Sequence, residues 1–558
     1  MRLYNVLFIS IAILTIACTD NNKDKTGGKI NLYEVEAYRS LFPHNAIDAI
    51  GVKVVNQVFE GLVKFNEHTL EIEPAIAASW KISNENTTYT FKLREDIKFH
   101  PNQIFESDDQ RKLTADDVIF SFKLLCTHGN NNNGFLTTFK DLVKGATEHY
   151  IMSVNDEFDG NLKGITKIDN YTIQIDLEHP SPYFLYSLAL PFCAIIPEIG
   201  YKYYKESVLI GTGPFQVIDK DLDQITLEKN QDFYRKDRKG RKLPYLDQIT
   251  FRFNKSVTDQ IVAFANEDID ILYKMNEEKY INKYTELNLN SSINLNNLST
   301  PYMAVSYCGF NLQDSILKNK QLRQAINYAI DVSAIRTAIA AAKENEDAKV
   351  SGITPTAFEK YNTSDIETYA IDVVKAKALL VEAGYPNGEG IDTIELDINK
   401  GRGKNLLIAE NIQTQLKENL NINVKVNVMP FSDKIDKSKS GASSFFKAGW
   451  IADYPHPQNF LSLFYGRDVP DKEEDWDSYP NTTRYKNPEF DKLYEKAMRV
   501  PLAETYTYLQ EAEKILMDDA PAIILWYGKN QILTNAKVQN YPMNVMGYID
   551  YSKVWLKK

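Results

Sequence analysis

Histidines, cysteines and neighbouring carboxylates are the side chains that most often carry catalysis, and none is spaced here in a pattern typical of an enzyme. The seven histidines form neither a His-x-x-x-His pair nor the His-Glu-x-x-His signature of zinc proteases. There is no Gly-x-Ser-x-Gly turn for a serine nucleophile and no complete phosphate-binding loop. Adjacent acids are typical of solvated faces or helix starts, and they occur at Asp108–Asp109, Asp116–Asp117 and Asp518–Asp519. We expect no metal and no cofactor. A binding protein is favoured over an enzyme, although dispersed catalytic residues would leave no motif.

Four cysteines occur, and no two of them have the Cys-x-x-Cys spacing of a zinc or redox site. If Cys18 carries a lipid, three cysteines remain and cannot all pair with one another. We therefore expect Cys126, Cys193 and Cys308 to be buried free thiols. One disulfide among these three is the alternative.

The first residues have the layout of a secretory signal, which places the rest of the chain outside the cytoplasm. Arg2 gives a positive flank, and the uncharged apolar run Val6–Ala17 ends at Cys18. That run is shorter than the ~20 residues that a membrane-spanning helix needs. The small residue before Cys18 resembles a bacterial lipobox, in which the signal is cut before the cysteine and the cysteine is lipidated. An ordinary signal peptide is the alternative.

Residues 1–17 are thus the predicted signal peptide, and residues 18–28 are the predicted lipidated and flexible tether. No later apolar stretch is long enough to span a bilayer, so we expect lipid alone to hold the body to a bacterial membrane. The predicted location is extracytoplasmic, on the periplasmic side or at the cell surface.

The composition excludes nucleic acid as a partner. The chain has 558 residues, 43% of them hydrophobic and 25% charged, which is ordinary for a globular protein and enough for about three domains. The formal net charge of −11 provides no basic footprint. The 33 tyrosines suit the lining of a wet cleft, because each offers a flat apolar face and one hydroxyl, although most must pack at the rim of the core.

Helical and strand-like periodicities alternate along both halves of the chain. Thr114–Leu125 reads as a capped helix with acids in its first turn, and Asp372–Ala383 as a helix that ends at Gly384. Thr88–Leu93 alternates with the period of a strand, and Phe490–Met517 is predicted to be one continuous helix. The alternation predicts α/β lobes.

Several short blocks then occur in the order found in one known family: Val58–Val63, Pro74–Trp80, Tyr89–Arg94, Ile97–His100, Leu113–Val118, Gly211–Phe215, Phe310–Asn311, Arg323–Asp331 and Leu379–Tyr385. Together they resemble the family 5 extracellular solute-binding proteins, the oligopeptide- and dipeptide-binding receptors of bacterial ABC importers. The resemblance covers nearly the whole chain after the tether.

The resemblance implies a bilobal α/β periplasmic-binding-protein fold of type II, in the large three-domain cluster, with an inserted extra domain. Ligand lies between the lobes, and a hinge closes over it. The expected division of the chain is lobe I at 29–54, 179–301 and 526–558, the inserted domain at 55–178, and lobe II at 302–525.

The resemblance also points to the segment Phe445–Tyr454. In the peptide-binding members, the aspartate at the position of Asp453 pairs with the α-ammonium of the ligand, because a closing cleft must offer an opposite charge. The backbone of Gly449–Ile451 would run beside the ligand like an added strand, with Trp450 walling the site. The alternative interpretation is that Trp450 anchors the core and Asp453 caps a turn.

At the other end of the ligand, the resemblance implies that Lys447 and Arg402 bind the carboxylate, although Arg402 could equally lie in a solvated basic loop. Phe431 would line the cleft. His456 stands where relatives often have an acid, which would leave the site less negative or make it pH-sensitive.

On the facing lobe, Ile47 and Ala49 are expected in a loop that touches the first residues of the ligand, and Tyr307 is expected to close the base. The predicted function is a monomeric peptide receptor that delivers its ligand to an ABC permease in the membrane. The alternatives are the same receptor with an oligosaccharide, metal chelate or opine as cargo, a surface hydrolase, or a sensor that passes peptides to a signalling protein.

Overall fold

The structure is a computed structural model that describes residues 27–46, 48–129, 132–155, 161–273, 278–286, 295–339, 350–358, 361–366, 368–400, 403–470 and 477–557. The predicted signal peptide, Cys18, Ile47 and Arg402 lie outside these residues. Within the described ranges, no helix combines the length and the hydropathy needed to cross a bilayer.

The strands are numbered in chain order, and they are β1 Lys29–Tyr33, β2 Val63–Phe65, β3 Ile72–Pro74, β4 Ala77–Ser83, β5 Thr88–Leu93, β6 Ile165–Asp169, β7 Thr172–Asp176, β8 Phe215–Lys220, β9 Gln224–Lys229, β10 Gln248–Arg252, β11 Ile271–Leu272, β12 Leu295–Phe310, β13 Ile394–Asn399, β14 Val424–Met429, β15 Phe445–Ile451, β16 Ala522–Asn535, β17 Val538–Gln539 and β18 Trp555–Leu556.

The α-helices are α1 Ala49–Val58, α2 Ala115–Leu125, α3 Asn133–Thr138, α4 Ala146–Met152, α5 Phe184–Leu188, α6 Glu198–Tyr204, α7 Val257–Ala265, α8 Glu278–Glu286, α9 Lys320–Ala329, α10 Val332–Ala338, α11 Val373–Glu382, α12 Gly403–Leu420, α13 Phe431–Lys439, α14 Gln458–Leu461, α15 Pro488–Ala497 and α16 Leu502–Asp519.

A large mixed sheet of the described residues has the strand order β11-β16-β12-β15-β13-β14. Side chains of β12 alternate between two cores, as the pleat of a strand requires. Cys308 and Phe310 pack with helices α9, α11 and α12, whereas Val305 and Tyr307 pack with helices α14, α15 and α16. Helices therefore cover both faces of this sheet, which is the arrangement of an α/β lobe.

Two smaller sheets share a separate large core, which we call the first core. One has the order β1-β10-β9-β8 and the other the order β4-β5-β7-β6, and residues of both contribute to one hydrophobic cluster. The expected domain boundaries at 302 and 525 fall within the long strands β12 and β16. These strands pair with each other, with Leu295 opposite Asn535 at one end and Gly309 opposite Ala522 at the other. Both strands therefore continue across the expected boundaries. The division of the chain into domains remains a prediction.

Several helix ends are where local signals in the sequence predicted them. Thr114 and Asp117 form a capping box at the start of α2, and the Asp372 side chain accepts a hydrogen bond from the backbone N–H of Lys375 at the start of α11. Gly384 follows α11 with φ +89°, the left-handed conformation that glycine adopts most easily.

The prediction of one helix over Phe490–Met517 was wrong. Helix α15 ends at Ala497, and α16 begins at Leu502, directly after Pro501. Proline disfavours helical geometry in the residue before it, and it has no N–H to continue a helix. The chain therefore breaks at this point and forms two packed helices.

In the described part of the chain, Cys126, Cys193 and Cys308 are buried free thiols, as expected. Burial raises the pKa of Cys193 and of Cys308 to about 12. Because the thiolate is the reactive form, these three side chains are structural rather than chemical.

The C-terminal segment returns to the first core and is tied to it by polar contacts. The side chain of Gln57 donates to the backbone carbonyl of Ile549 at 2.9 Å and accepts from the N–H of Tyr551 at 3.0 Å. Lys64 on β2 forms an ion pair with Asp550, and both side chains are largely buried. Burial alone would raise the Asp550 pKa, but the Lys64 charge and the hydrogen bonds outweigh it and hold the pKa well below its usual range.

The Lys64–Asp550 pair is predicted to stabilise the fold. Asp550→Asn leaves the Lys64 ammonium buried without its partner, so we expect the free energy of unfolding at pH 7 to fall by about 3 kcal/mol, measured by urea denaturation. Since the folded pKa of Asp550 is lowered, its contribution is present above the unfolded carboxyl pKa of about 3.9 and is lost as the pH falls further.

Glu148→Gln is the matched control, because Glu148 and its partner Lys163 are both exposed at 2.6 Å separation. Exposed pairs contribute little to stability. Equal losses for the two variants would show that the Asp550 pair has no special role.

Candidate functional site

Strand β15 presents an unpaired backbone edge along much of its length. On one side it pairs with β12 from Phe445 to Ile451. On the other side, β13 pairs with it only at Phe445 and Phe446. No other strand of the described residues pairs with β15 from Lys447 to Ile451 on that side, which we call the outer edge.

The alternation of an antiparallel ladder decides which amides face the outer edge. The N–H of Ala452 donates to the carbonyl of Met303, so the even-numbered residues direct their backbone groups towards β12. The backbone groups of Gly449 and Ile451 consequently point to the outer edge, and both residues are exposed. This edge has the geometry that accepts an extended peptide as an additional strand.

Asp453 follows the end of β15, where Asn459 at the start of α14 fixes it. The Oδ1 atom of Asn459 accepts one hydrogen bond from Trp450 Nε1 at 2.8 Å and another from the Asp453 N–H at 3.1 Å. The Nδ2 atom of Asn459 lies 3.4 Å from Asp453 Oδ2, to which it donates. Asn459 is itself buried, so one rigid side chain holds both predicted site residues.

The Asp453 carboxylate is accessible to solvent, yet protein surrounds it closely enough that desolvation raises its pKa, with the Asn459 hydrogen bond opposing the rise. Both facts fit a side chain on the wall of a cleft. No cation of the described residues lies within ion-pair distance of it. Within the part of the chain that the structure describes, the one hydrogen bond to its carboxylate comes from the Asn459 side chain and none from a backbone N–H, which a turn cap would accept.

Trp450 is half-buried, and its contacts fit both roles considered for it, a wall of the binding site and an anchor of the core. It packs at the margin of the core formed with α14, α15 and α16. Its ring also lies 6.4 Å from that of Tyr479, which is 54% exposed. Desolvation and then the charge of Asp453 raise the pKa of Tyr479, so the three side chains share one patch of surface.

The residues after Asp453 touch helix α5, whose Phe184 and Leu188 belong to the first core. Tyr454 stacks against Tyr186 of α5 with ring centroids 5.9 Å apart, and it lies 6.0 Å from Tyr183. Tyr186 in turn stacks on Phe65 of β2. The Asp453 site therefore lies where the lobe built on the large sheet meets the rest of the molecule.

His456 is a packing residue in this structure and supplies no charge near neutral pH. Its ring lies between Tyr183 at 4.6 Å and Tyr506 at 5.1 Å. Its Nδ1 accepts the Gln458 N–H, and Nε2 lies 3.0 Å from Thr505 Oγ1, so a neutral ring satisfies both nitrogens. Burial lowers its pKa to about 3. The expectation of a pH-sensitive site through this histidine is therefore wrong, and the less negative site remains.

Lysine amines gather around Lys447, towards the end of β15 that is remote from Asp453. Burial lowers the pKa of Lys447 to about 8, and its Nζ donates to the Ala448 carbonyl at 2.7 Å. The Nζ of Lys434 donates to the Lys447 carbonyl at 2.7 Å, and that of Lys404 lies 5.1 Å above the ring of Trp526. Lys447 has no acid within ion-pair distance among the described residues.

The remaining predicted residues are less closely joined. Phe431 is 61% exposed at the start of α13, and Lys434 lies over its ring at 5.4 Å, which links it to the lysine end. Tyr307 is buried beside Ala448 in the neighbouring strand, beneath the site rather than on its surface. Ala49 is exposed at the start of α1.

Three residues of the site were not expected from the sequence: Asn459, Tyr479 and Lys434. Asn459 lies only six positions after Asp453, on the first turn of a helix that follows Pro457. An asparagine at that spacing, just after a proline that precedes a helix, is the sequence signal that could have identified it. Tyr479 and Lys434 come from distant segments and carry no local signal.

Comparison with known proteins agrees with this architecture. Residues 71–470 match the family model described as bacterial extracellular solute-binding proteins, family 5 Middle. The chain is 30% identical to the heme-binding protein A of Haemophilus influenzae, covering 88% of this chain and 85% of the relative. It is 26% identical to the dipeptide-binding protein of Escherichia coli, covering 91% of this chain and 90% of the relative.

A solved structure shows the same fold. The ABC transporter-associated periplasmic binding protein DppA from Helicobacter pylori, in complex with the peptide STSA, superposes with a TM-score of 0.75 at 26% identity, covering 96% of this chain and 99% of that chain. The resemblance and the bilobal α/β fold predicted from the sequence are confirmed. The chain belongs to the family 5 bacterial extracellular solute-binding proteins.

Proposed function

We propose that this protein binds peptides at the outer edge of β15, between its lobes, and delivers them to an ABC permease. The observation that carries the proposal is the Asp453 carboxylate, which has no cation partner among the described residues and stands at the end of an unpaired strand edge. The names of two relatives support this cargo, since one is a dipeptide-binding protein and another was solved with a peptide.

The proposed ligand runs antiparallel to β15. Its α-ammonium pairs with Asp453, and its carboxylate reaches the lysine end at Lys447, with Arg402 as a further proposed contact. At about 3.3 Å per residue, the edge from Lys447 to Ile451 has room for roughly four extended residues. Lysine is a point charge without the fork of arginine, so it tolerates several positions of the carboxylate.

Main-chain pairing explains how such a site accepts different sequences. In the proposed pairing, the backbone groups of Gly449 and Ile451 bond to the backbone of the ligand. These bonds do not depend on the side chains of the ligand. Gly449 has a further role, because a Cβ there would lie 3.2 Å from the Val305 carbonyl. Trp450 and Tyr479 provide flat walls, and the proposed role of Phe431 is to line the lysine end.

Closure is coupled to binding because Tyr454, next to Asp453, already contacts Tyr186 on helix α5, which packs into the first core through Phe184 and Leu188. A ligand shifts the balance between open and closed lobes only through contacts that it makes in the closed form. Ile47 and Ala49 are the proposed contacts from the facing lobe. The reaction is binding alone, with no bond made or broken.

The name of one relative mentions heme, so a metal chelate is the competing cargo. Among the described residues, no group of three or more His, Cys, Asp or Glu side chains could hold a metal ion. A carboxylate beside an open strand edge suits an amine and an amide backbone, which a porphyrin does not offer.

Asp453→Asn is predicted to weaken the binding of a free tripeptide about 30-fold or more, because a lost charge pair in a desolvated site costs at least about 2 kcal/mol. The measurement is calorimetry with one tripeptide, its N-acetylated form and hemin. The N-acetylated form is expected to bind weakly to the unaltered protein and equally weakly to the variant.

Asp392→Asn, at an exposed position before β13, is the control and should change nothing. Equal affinity of the free and N-acetylated peptides for the unaltered protein would remove the α-ammonium role. Binding of hemin in place of either peptide would favour the competing cargo.

Lys447 is predicted to take up a proton when a peptide carboxylate binds. Its pKa is lowered to about 8, and a bound anion raises it, so near pH 8.5 part of the population gains a proton. Calorimetry in two buffers of different ionisation enthalpy measures this uptake.

Lys447→Arg keeps the charge but does not titrate, so it is the matched control and should bind peptide with less proton uptake. The amino group of the peptide contributes equally in both proteins and cancels in the difference. An identical uptake for the two proteins would exclude the role of Lys447. Lys447→Met should lose affinity for the peptide acid but not for its C-terminal amide.

The proposed location is the outer side of a bacterial membrane, with Cys18 lipidated after removal of residues 1–17 and with the body acting as a monomer. Expression of the full chain in a bacterium is expected to yield a membrane-bound product whose mass corresponds to residues 18–558 plus a diacylglycerol. Cys18→Ser should release the protein from the membrane fraction. A membrane-bound Cys18→Ser product would contradict the anchor.

A further inference from the structure

The Asn459 side chain bonds to two of the residues that the sequence led us to expect in the site, Trp450 and Asp453. It is only 4% exposed, and its side chain bonds to Trp450, to the backbone of Asp453 and to the carboxylate of Asp453. It lies outside the strand that forms the outer edge, at the first turn of α14.

The orientation of its amide follows from its partners. Trp450 Nε1 and the Asp453 N–H can only donate, so the atom that faces both must be the carbonyl oxygen of the amide. A flipped amide would turn its NH₂ group towards these two donors and its oxygen towards the Asp453 carboxylate, so both N–H groups would lose their acceptor. The NH₂ group is consequently directed to the carboxylate of Asp453.

We infer that Asn459 is the positioning residue of this site, holding the Trp450 wall and the charged Asp453 carboxylate at one fixed separation so that a free amine is selected. This inference rests on the proposed pairing of Asp453 with an α-ammonium. It extends that proposal, because it assigns the alignment of the carboxylate to a residue that does not touch the ligand.

The surroundings of Asp453 leave this task to Asn459. In the described ranges, the ionisable groups that face it are the phenols of Tyr454 and Tyr479. Lys439 lies over the ring of Tyr479 at 4.7 Å rather than at ion-pair distance from the carboxylate. Desolvation works against the charged form, and the Asn459 hydrogen bond is what opposes it. Loss of this donor should therefore make the carboxylate easier to protonate.

Asn459→Asp is the sharpest test, since it keeps the size and the acceptor for Trp450 but replaces the NH₂ donor with a second acid. We expect the midpoint of the Asp453 titration to rise by about one unit or more. The midpoint is read from the carboxyl ¹³C signal of labelled protein without added peptide, assigned as the signal that Asp453→Asn removes. The pH at which peptide affinity falls to half should rise in parallel.

Trp450→Phe is the matched control, because it removes the other bond to Asn459 and leaves the contact with Asp453. Its Asp453 midpoint should stay unchanged. If Asn459→Asp does not fold, Asn459→Ala withdraws the donor without adding charge, and a smaller upward shift is expected.

An unchanged midpoint in the folded Asn459 variants would overturn the inference. An upward shift together with equal binding of free and N-acetylated peptides would instead confirm the contact and refute the α-ammonium role. The titration tests the role of Asn459, and the ligand comparison tests the α-ammonium role. Either idea can therefore be refuted without the other.

Discussion

A carboxylate can leave bulk water only if hydrogen bonds or an opposite charge replace the water that it loses. Asp453 meets this constraint incompletely, because among the described residues the single side-chain donor that reaches it is the amide of Asn459. The rest of the site is consistent with an arrangement in which the ligand supplies what is missing. A charge held in this way costs free energy in the free protein and regains it on binding, so it discriminates against ligands without a cation.

The outer edge of β15 presents unpaired backbone groups, just as Asp453 presents an unpaired charge. Because β13 separates from β15 after Phe446, a stretch of strand keeps unused donors and acceptors next to Asp453. At the far end, Lys434 and Lys447 are buried amines held by backbone carbonyls rather than by acids. An edge with opposite charges at its two ends matches the polarity of a short extended peptide.

Contacts across the molecule place this edge at a junction. Tyr454 and His456 lie within three residues of Asp453 and pack against Tyr183 and Tyr186, at the start of and within helix α5. Phe184 and Leu188 of the same helix belong to the first core. The aromatic contact and the carboxylate are thus parts of one short segment. A movement of the large-sheet lobe relative to the first core cannot leave Asp453 unaffected, which is the physical basis for coupling capture to closure.

The sequence alone determined the class of protein and many local features. The apolar leader, the ordered family blocks, the capping box at Thr114 and the glycine at 384 are short-range patterns whose physics is complete within a few residues. The Gly449–Asp453 segment was also found, through the resemblance. Tertiary structure decided that β13 diverges from β15, that Asn459 holds Trp450 and Asp453 together, and that His456 is buried and neutral. Each of these depends on which distant segments pack together, and side-chain burial and strand pairing are set by those contacts rather than by neighbours in the chain.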